Sequence, residues 1–239
     1  MSRIGLIGGT ALRDWDEFEI KETDDKNTPW GTPSSPLFKG KLEDEEIVLL
    51  MRHGPDHTIP PHRINHRANI YALQNEVDEI IGVCSSGALN ESIDVPSLSI
   101  PEDYVNFWNP ITFYNEKIKH VTPGLSQDLR NQLIEASEKL DHDLTKSGEV
   151  YVQTEGPRLE TKAEVKVLQQ FGDLVGMTMA SEATLSKESA LKYAGLVTID
   201  NYANGVKGEK VEYEEIVDTA RDSWDKVKDI LVKFLKRRR

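Results

Sequence analysis

Hydrophobic residues fall along this chain in two textures. Short continuous apolar runs at 4–7 (IGLI), 46–51 (EIVLLM), 79–83 (EIIGV), 149–152 (EVYV), 174–176 (LVG) and 193–199 (YAGLVTI) have the length and β-branched content of buried strands. Between them, apolar residues recur every three or four positions. Ile64, Ala68, Tyr71 and Ala72 predict a helix over 64–76. Leu129, Leu133, Ala136, Leu140 and Leu144 predict another over 126–144, with Ser126 as its N-cap. Tyr213, Ile216, Val217, Ala220, Trp224, Val227, Ile230, Leu231 and Phe234 mark a long one over 212–235. A further helix opens at Glu160-Thr161 and stops at Gly172, and one more follows Met177-Thr178. Strands alternating with helices predict an α/β protein, read as a single domain over 1–239. Residues 24–36 are rich in Pro, Gly, Ser and Asp and read as a loop with strands on both sides. Residues 96–123 have little periodicity but hold Tyr104, Phe107, Trp108, Phe113 and Tyr114; a pocket wall, a subunit contact or a packed loop would each fit.

Composition narrows the partners. The net charge of −12 argues against nucleic acid or an anionic membrane as the main partner, since both call for a basic face. An acidic chain that binds an anion must build a local positive pocket against its own field. The lone Cys84 cannot close an internal disulfide and fits a reducing cytoplasm. The first residues enter a strand at once, leaving no room for a signal peptide, and no apolar run has membrane-spanning length. The terminal Lys236-Arg237-Arg238-Arg239 reads as solvated charge at a helix C-terminus.

Polar and small residues gather where the strands end. In open α/β sheets that is where ligands bind. Gly8-Gly9-Thr10 follows the first strand and suits either an anion or a tight turn. Arg52-His53-Gly54 follows the second and could clamp an anion or make a surface ion pair beside a turn. Cys84-Ser85-Ser86-Gly87 follows the third, with Cys84 read as a small core residue. The two junctions of the 149–182 block carry Arg158, Glu160, Met177, Thr178 and Glu182, more polar groups than a structural turn needs. Asp200-Asn201 closes the last strand, where Asn can donate and accept toward a heterocycle or simply make a turn. His57, His62 and His66 lie close in sequence, but no Cys joins them and their spacing matches no compact zinc site.

IGLIGGT, LLMRHGPDHTIPPHRINHRANIYAL, TEGPRLETKAE and VGMT, in this order, closely resemble the methylthioadenosine phosphorylase and purine nucleoside phosphorylase family, in its trimer-forming branch. The likeness runs from residue 3 to about 220. It implies a central mixed twisted sheet flanked by helices, the nucleoside phosphorylase fold. It also implies phosphorolysis, in which inorganic phosphate attacks the anomeric carbon of a purine nucleoside and releases the base. Carried over by motif, Thr10, Arg52, His53, Ser85 and Thr178 would hold phosphate. Met177 would pack on the ribose, Glu160 and Asn201 would contact the base and act in catalysis, and Tyr202, Ala203 and Tyr213 would complete the substrate site. Phosphate is then a co-substrate and no cofactor or metal is implied. A homotrimer or a dimer of trimers is expected.

Adenine-specific members carry Asp at the positions of Asn201 and Ala203 and Ser at that of Glu160, so this chain resembles the 6-oxopurine members. Glu160 can accept from N1–H of guanine or hypoxanthine, whereas adenine N1 would bring only a lone pair. Guanosine, inosine or 5′-methylthioinosine is the expected substrate, with methylthioadenosine as the alternative. A nucleosidase and a non-catalytic nucleoside-binding protein are the readings from other classes; the Thr10, Arg52 and His53 anion set argues against the first. Tyr213 does not decide the 5′ group. Met179-Ala180-Ser181 departs from the family pattern before Glu182, and Cys84 stands where relatives have Thr or Asn.

Overall fold

The computed structural model describes residues 2–9, 15, 17–140, 144–145, 148–207, 219 and 223–238. Thr10, Tyr213 and the first part of the 212–235 segment lie outside the described residues. One mixed eleven-stranded sheet runs through the rest. Its strands are β1 (Ile4–Gly8), β2 (Phe18–Asp24), β3 (Leu37–Leu42), β4 (Glu45–Met51), β5 (Glu79–Ala88), β6 (Ser97–Ser99), β7 (Asp103–Val105), β8 (Leu144–Thr145), β9 (Val150–Gln153), β10 (Leu174–Gly176) and β11 (Lys192–Tyr202). The helices are α1 (His66–Leu73), α2 (Gln127–Glu138), α3 (Lys162–Leu168), α4 (Met179–Glu188) and α5 (Trp224–Lys236).

Burial explains why the strands read as continuous apolar runs. Successive side chains point to opposite faces, and both faces are covered. Ile4 and Leu6 of β1, with Ile47 and Leu49 of β4, pack toward Leu129 and Leu133 of α2 and Val227, Leu231 and Phe234 of α5. Ile7, Val48 and Leu50 point the other way, toward Ile70 and Leu73 of α1 and Met179, Ala183 and Leu185 of α4. In α5 the buried residues Trp224, Val227, Ile230, Leu231, Phe234 and Leu235 form one stripe, with Asp225 in its first turn and Lys233 and Lys236 in its last, as the helix dipole favours. Each such side chain contributes about 1.5–3 kcal/mol by leaving water.

β5 is the strand that shapes the site. Along one edge it pairs with β11 over its whole length, from Glu79↔Lys192 to Ala88↔Tyr202. Along the other, β1 covers only Glu79 to Gly82, in parallel, and β10 covers only Gly87 and Ala88, antiparallel. The sheet therefore splits beside Val83–Ser86.

Several boundaries differ from the sequence expectation. β5 and β11 do not end at Val83 and Ile199 but continue through Cys84–Ala88 and Asp200–Tyr202, because each supplies the other's ladder partners, with a register shift between Ile199 and Asn201. The helix expected to reach Leu144 ends at Glu138, and Leu144–Thr145 pairs in parallel with β6. The aperiodic 96–123 segment holds two short strands, β6 and β7, created by pairing with β11 and β9. No helix among the described residues is long and apolar enough to cross a membrane.

Candidate active site

A cavity of about 610 Å³ occupies the split in the sheet, a size suited to a small organic ligand. Gly9 after β1, Arg52 and His53 after β4, Val83–Gly87 of β5, Met177 and Thr178 between β10 and α4, Glu160 before α3, and Asn201, Ala203 and Asn204 from the end of β11 all line it. Most of the polar groups that sequence placed at separate strand ends thus meet around one space. Tyr202 does not line it: its side chain leaves on the other side of β11, its hydroxyl donates to the Ile93 carbonyl at 2.8 Å, and Lys207 lies over its ring. This corrects the expectation that Tyr202 touches substrate, and the reason is strand alternation.

At one end, Arg52 is held by a buried scaffold. The side chain is 1% exposed and Glu182 of α4 is 0% exposed. Arg52 Nε donates to Glu182 Oε1, and Nη2 donates to Oε2 at 3.0 Å. Nη1 donates to the Val83 carbonyl at 2.9 Å, on the strand edge that neither β1 nor β10 covers. Nη2 also points at Cys84 Sγ, 3.4 Å away. Tyr193 OH donates to Glu182 Oε2 at 2.8 Å, so the carboxylate is fixed from both sides. Burial opposes the charge of Arg52, but the paired Glu182 carboxylate more than offsets it and holds the guanidinium protonated. Among the described residues one N–H on Nη1 is left for a ligand, next to Gly9, where a Cβ would come within 3.3 Å of that nitrogen. Burial also pushes the Cys84 thiol up, so it stays a neutral thiol facing the cavity.

His53 is not the cation that an Arg-His clamp suggests. Burial, and then the Arg52 charge, pull its pKa to about 4. Its Nδ1 lies 2.7 Å from the Ile59 carbonyl, which can only accept, so Nδ1 carries the proton and Nε2 is an acceptor. Ser85 Oγ donates to Asp200 Oδ2, and Thr198 Oγ1 donates to the same oxygen at 3.1 Å. Asp200 Oδ1 is buried without a partner among the described residues, and burial lifts this carboxyl to about 6. Thr178 caps α4 without a side-chain bond to the helix; its hydroxyl lies 3.6 Å from Cys84 Sγ. The departure at Ser181 has a structural partner. Gln153 donates to Ser181 Oγ at 2.6 Å and accepts from the Ser181 backbone N–H at 3.0 Å, filling one of the open donors of the helix start. His57, His62 and His66 do not converge, and no metal-like cluster forms among the described residues. His66 instead lies buried 4.0 Å from Glu182 and is kept neutral by burial and then by Arg52.

The other end is lined by neutral amides and one carboxylate. Glu160, 9% exposed, accepts from Thr154 Oγ1 at 2.7 Å through Oε1. It sits directly before the capping box of α3, in which Thr161 and Glu164 satisfy each other's backbone donors. Arg158 forks onto Glu164 with two bonds of 2.8 Å and ties down the approach to that loop. Gly156, at φ +67°, turns the chain where a Cβ would collide with Met177 Sδ. Asn201 Nδ2 donates to the Tyr202 carbonyl at 2.8 Å, leaving its second N–H and Oδ1 open. Asn204 Nδ2 donates to the Glu160 carbonyl at 3.3 Å. Asn204, Thr198 and the roles of Asp200 and Glu182 were not legible as site features, because Asn-Gly reads as a turn and a buried ion pair across more than a hundred residues leaves no local pattern.

A family model described as the phosphorylase superfamily matches residues 3–236. The chain is 43% identical over 221 residues to a probable 6-oxopurine nucleoside phosphorylase of Archaeoglobus fulgidus, a match covering 92% of this chain and 90% of that protein. It is 36% identical to a probable S-methyl-5′-thioinosine phosphorylase of Thermodesulfovibrio yellowstonii, over 98% of this chain and 91% of the other. Among solved structures, a methylthioadenosine phosphorylase from an antarctic soil metagenomic library superposes with a TM-score of 0.89 at 27% identity, covering 98% of this chain and 85% of that one. Likeness over nearly its whole length places the chain in one family: it belongs to the phosphorylase superfamily.

Proposed function

We propose that this chain, a purine nucleoside phosphorylase, acts on 6-oxopurine nucleosides. The observation that carries the reading is Glu160: a largely buried carboxylate at the amide-lined end of the cavity, with Oε2 uncommitted among the described residues. An acceptor there pairs with N1–H of a 6-oxopurine. Against a 6-aminopurine it would face the N1 lone pair, and an unpaired buried polar group costs discrimination of several orders of magnitude. Asn201 donates from Nδ2 to O6 and accepts at Oδ1 from N7–H as the base departs.

The opposite end suits the hydrogen phosphate dianion. Arg52 supplies fixed positive charge and one free N–H, while neutral His53 accepts the phosphate's own proton at Nε2. Ser85 and Thr178 add hydroxyls, and Thr10 belongs to the same set by its motif. A phosphate oxygen attacks C1′, the C1′–N9 bond breaks, and its electron pair leaves with the purine; the base takes up one proton at N7 and hydrogen phosphate gives up its one proton on becoming the ester, so the protons balance. The products are free base and ribose 1-phosphate. Phosphate held under the sugar is both nucleophile and counter-charge to the cationic anomeric carbon, and Met177 packs against the ribose.

Base release from inosine, guanosine, 5′-methylthioinosine and methylthioadenosine, with and without phosphate, tests this. Phosphate-dependent release from the oxopurines is expected, and the two inosines report the 5′ pocket, where Tyr213 is the candidate contact. Preference for methylthioadenosine overturns the base reading; release without phosphate overturns the anion end. We also take the protein to be a cytoplasmic homotrimer or dimer of trimers. Exposed Phe107 (62%), Trp108 and Phe171 support a covering partner, since Phe107 makes edge-on contacts with both other rings at 5.8 and 5.3 Å. Light scattering in solution gives the mass; a monomer defeats this part.

A further inference from the structure

The wall beside Glu160 carries an amide that the reaction described above does not use. Asn204 lies just past β11 and lines the cavity. Its Nδ2 donates to the Glu160 backbone carbonyl at 3.3 Å. A carbonyl only accepts, so this bond fixes which end of the amide is nitrogen and leaves Oδ1 as the outward acceptor. No described residue donates to that oxygen. On the adjacent Glu160, Thr154 already occupies Oε1 at 2.7 Å. Among the described residues, Glu160 Oε2 and Asn204 Oδ1 are thus two uncommitted acceptors on cavity-lining residues joined by that hydrogen bond.

A 6-oxopurine that gives N1–H to Glu160 presents its position 2 to the neighbouring group. Guanine carries an amino donor there, hypoxanthine a C–H, and xanthine a carbonyl acceptor. Two such acceptors match the two adjacent donors of guanine, leave one acceptor idle against hypoxanthine, and oppose the carbonyl of xanthine. We propose that Asn204 is a specificity-determining residue whose Oδ1 accepts from the exocyclic 2-amino group, making guanosine the preferred 6-oxopurine nucleoside. This rests on the assignment of Glu160 to N1–H.

The test is kcat/KM for guanosine, inosine and xanthosine at saturating phosphate, in the wild type and in Asn204→Ala. The wild type should favour guanosine over inosine by about tenfold, the worth of one buried hydrogen bond, and should turn over xanthosine least. Asn204→Ala should bring the guanosine-to-inosine ratio down to about one, with circular dichroism reporting correct folding. An unchanged guanosine-to-inosine ratio in the variant, or a parallel loss on both, overturns the contact. As a measurement free of any variant, calorimetry on the wild type should show guanine binding about tenfold tighter than hypoxanthine; equal affinities overturn it as well. Turnover of inosine with no guanosine preference removes only Asn204 from the reading. Failure of all three oxopurine nucleosides alongside turnover of methylthioadenosine removes the Glu160 assignment itself.

Discussion

At the anion end of the cavity the charged side chain is fixed by other buried groups, whereas at the base end the polar side chains keep part of their hydrogen-bonding capacity open. Among the described residues Arg52 directs its donors at Glu182, Val83, Cys84 and the Ile7 carbonyl and keeps one N–H. Among the described residues, Glu160, Asn201 and Asn204 each make a single side-chain bond as donor or acceptor, to Thr154, Tyr202 and Glu160 in turn. The difference follows from what each end must do. A charge taken out of water is tolerated only inside a preorganised set of partners, which then acts on any oxyanion of the right shape. Reading a heterocycle needs donors and acceptors that are oriented but unspent, since an already satisfied group cannot discriminate.

The largest effect is expected where the scaffold is broken. Arg52→Met leaves Glu182 buried without its ion partner and should destabilise the fold by about 3–5 kcal/mol, measured by urea unfolding. Its kcat/KM for phosphate should fall by more than about 10³-fold. Arg52→Met combined with Glu182→Leu should recover most of the stability and none of the activity; recovery of activity would mean that the pair is only structural. Glu160→Gln, at the open end, should lower kcat/KM for inosine by about 10²-fold while the KM for phosphate stays within about twofold. Equal damage to both substrates would erase the distinction between the ends.

Acidity sharpens the contrast. Burial lifts Asp200 from 3.8 to about 6, so the folded protein binds this proton more tightly than the unfolded chain. The contribution is fully present below 3.8 and is lost as pH rises through about 6. Asp200→Asn should therefore stabilise the protein at pH 8, by about 2–3 kcal/mol, and change little at pH 4; a loss of stability at pH 8 would contradict the buried, strained carboxylate. His53 has the opposite sign. Its pKa falls from 6.5 to about 4, so its contribution is lost as pH drops from 6.5 through about 4. Its imidazole resonances should show no titration above pH 5 in the NMR spectrum. The smallest effect is expected from Arg158→Ala. The Arg158–Glu164 pair is exposed and screened by solvent, so the unfolding midpoint in urea should barely move and inosine kinetics should stay within about threefold; a large loss would show that loop order limits base binding.

The strand runs, most helices and the α/β class were legible in the sequence because a sheet buried on both faces leaves unbroken apolar segments. Local turn chemistry located Gly156-Pro157 and the capping residues at Ser126 and Thr161 in the same way. Motifs pointed to Arg52, His53, Ser85, Glu160, Met177, Thr178, Asn201 and Ala203, which all line the cavity. Sequence could not show that β1 and β10 share one edge of β5, because which strands pair is decided by long-range packing. It therefore could not say that the cavity sits in the gap between them. Nor could it show that His53 is neutral, that Tyr202 turns away, or that Asn204 joins Glu160. Charge state and direction depend on burial and on partners from distant segments. The sequence by itself determined the elements and the chemical inventory, since these depend on neighbours a few residues apart. Only the tertiary structure decided which of those groups face one another and how many of their hydrogen bonds remain to be made.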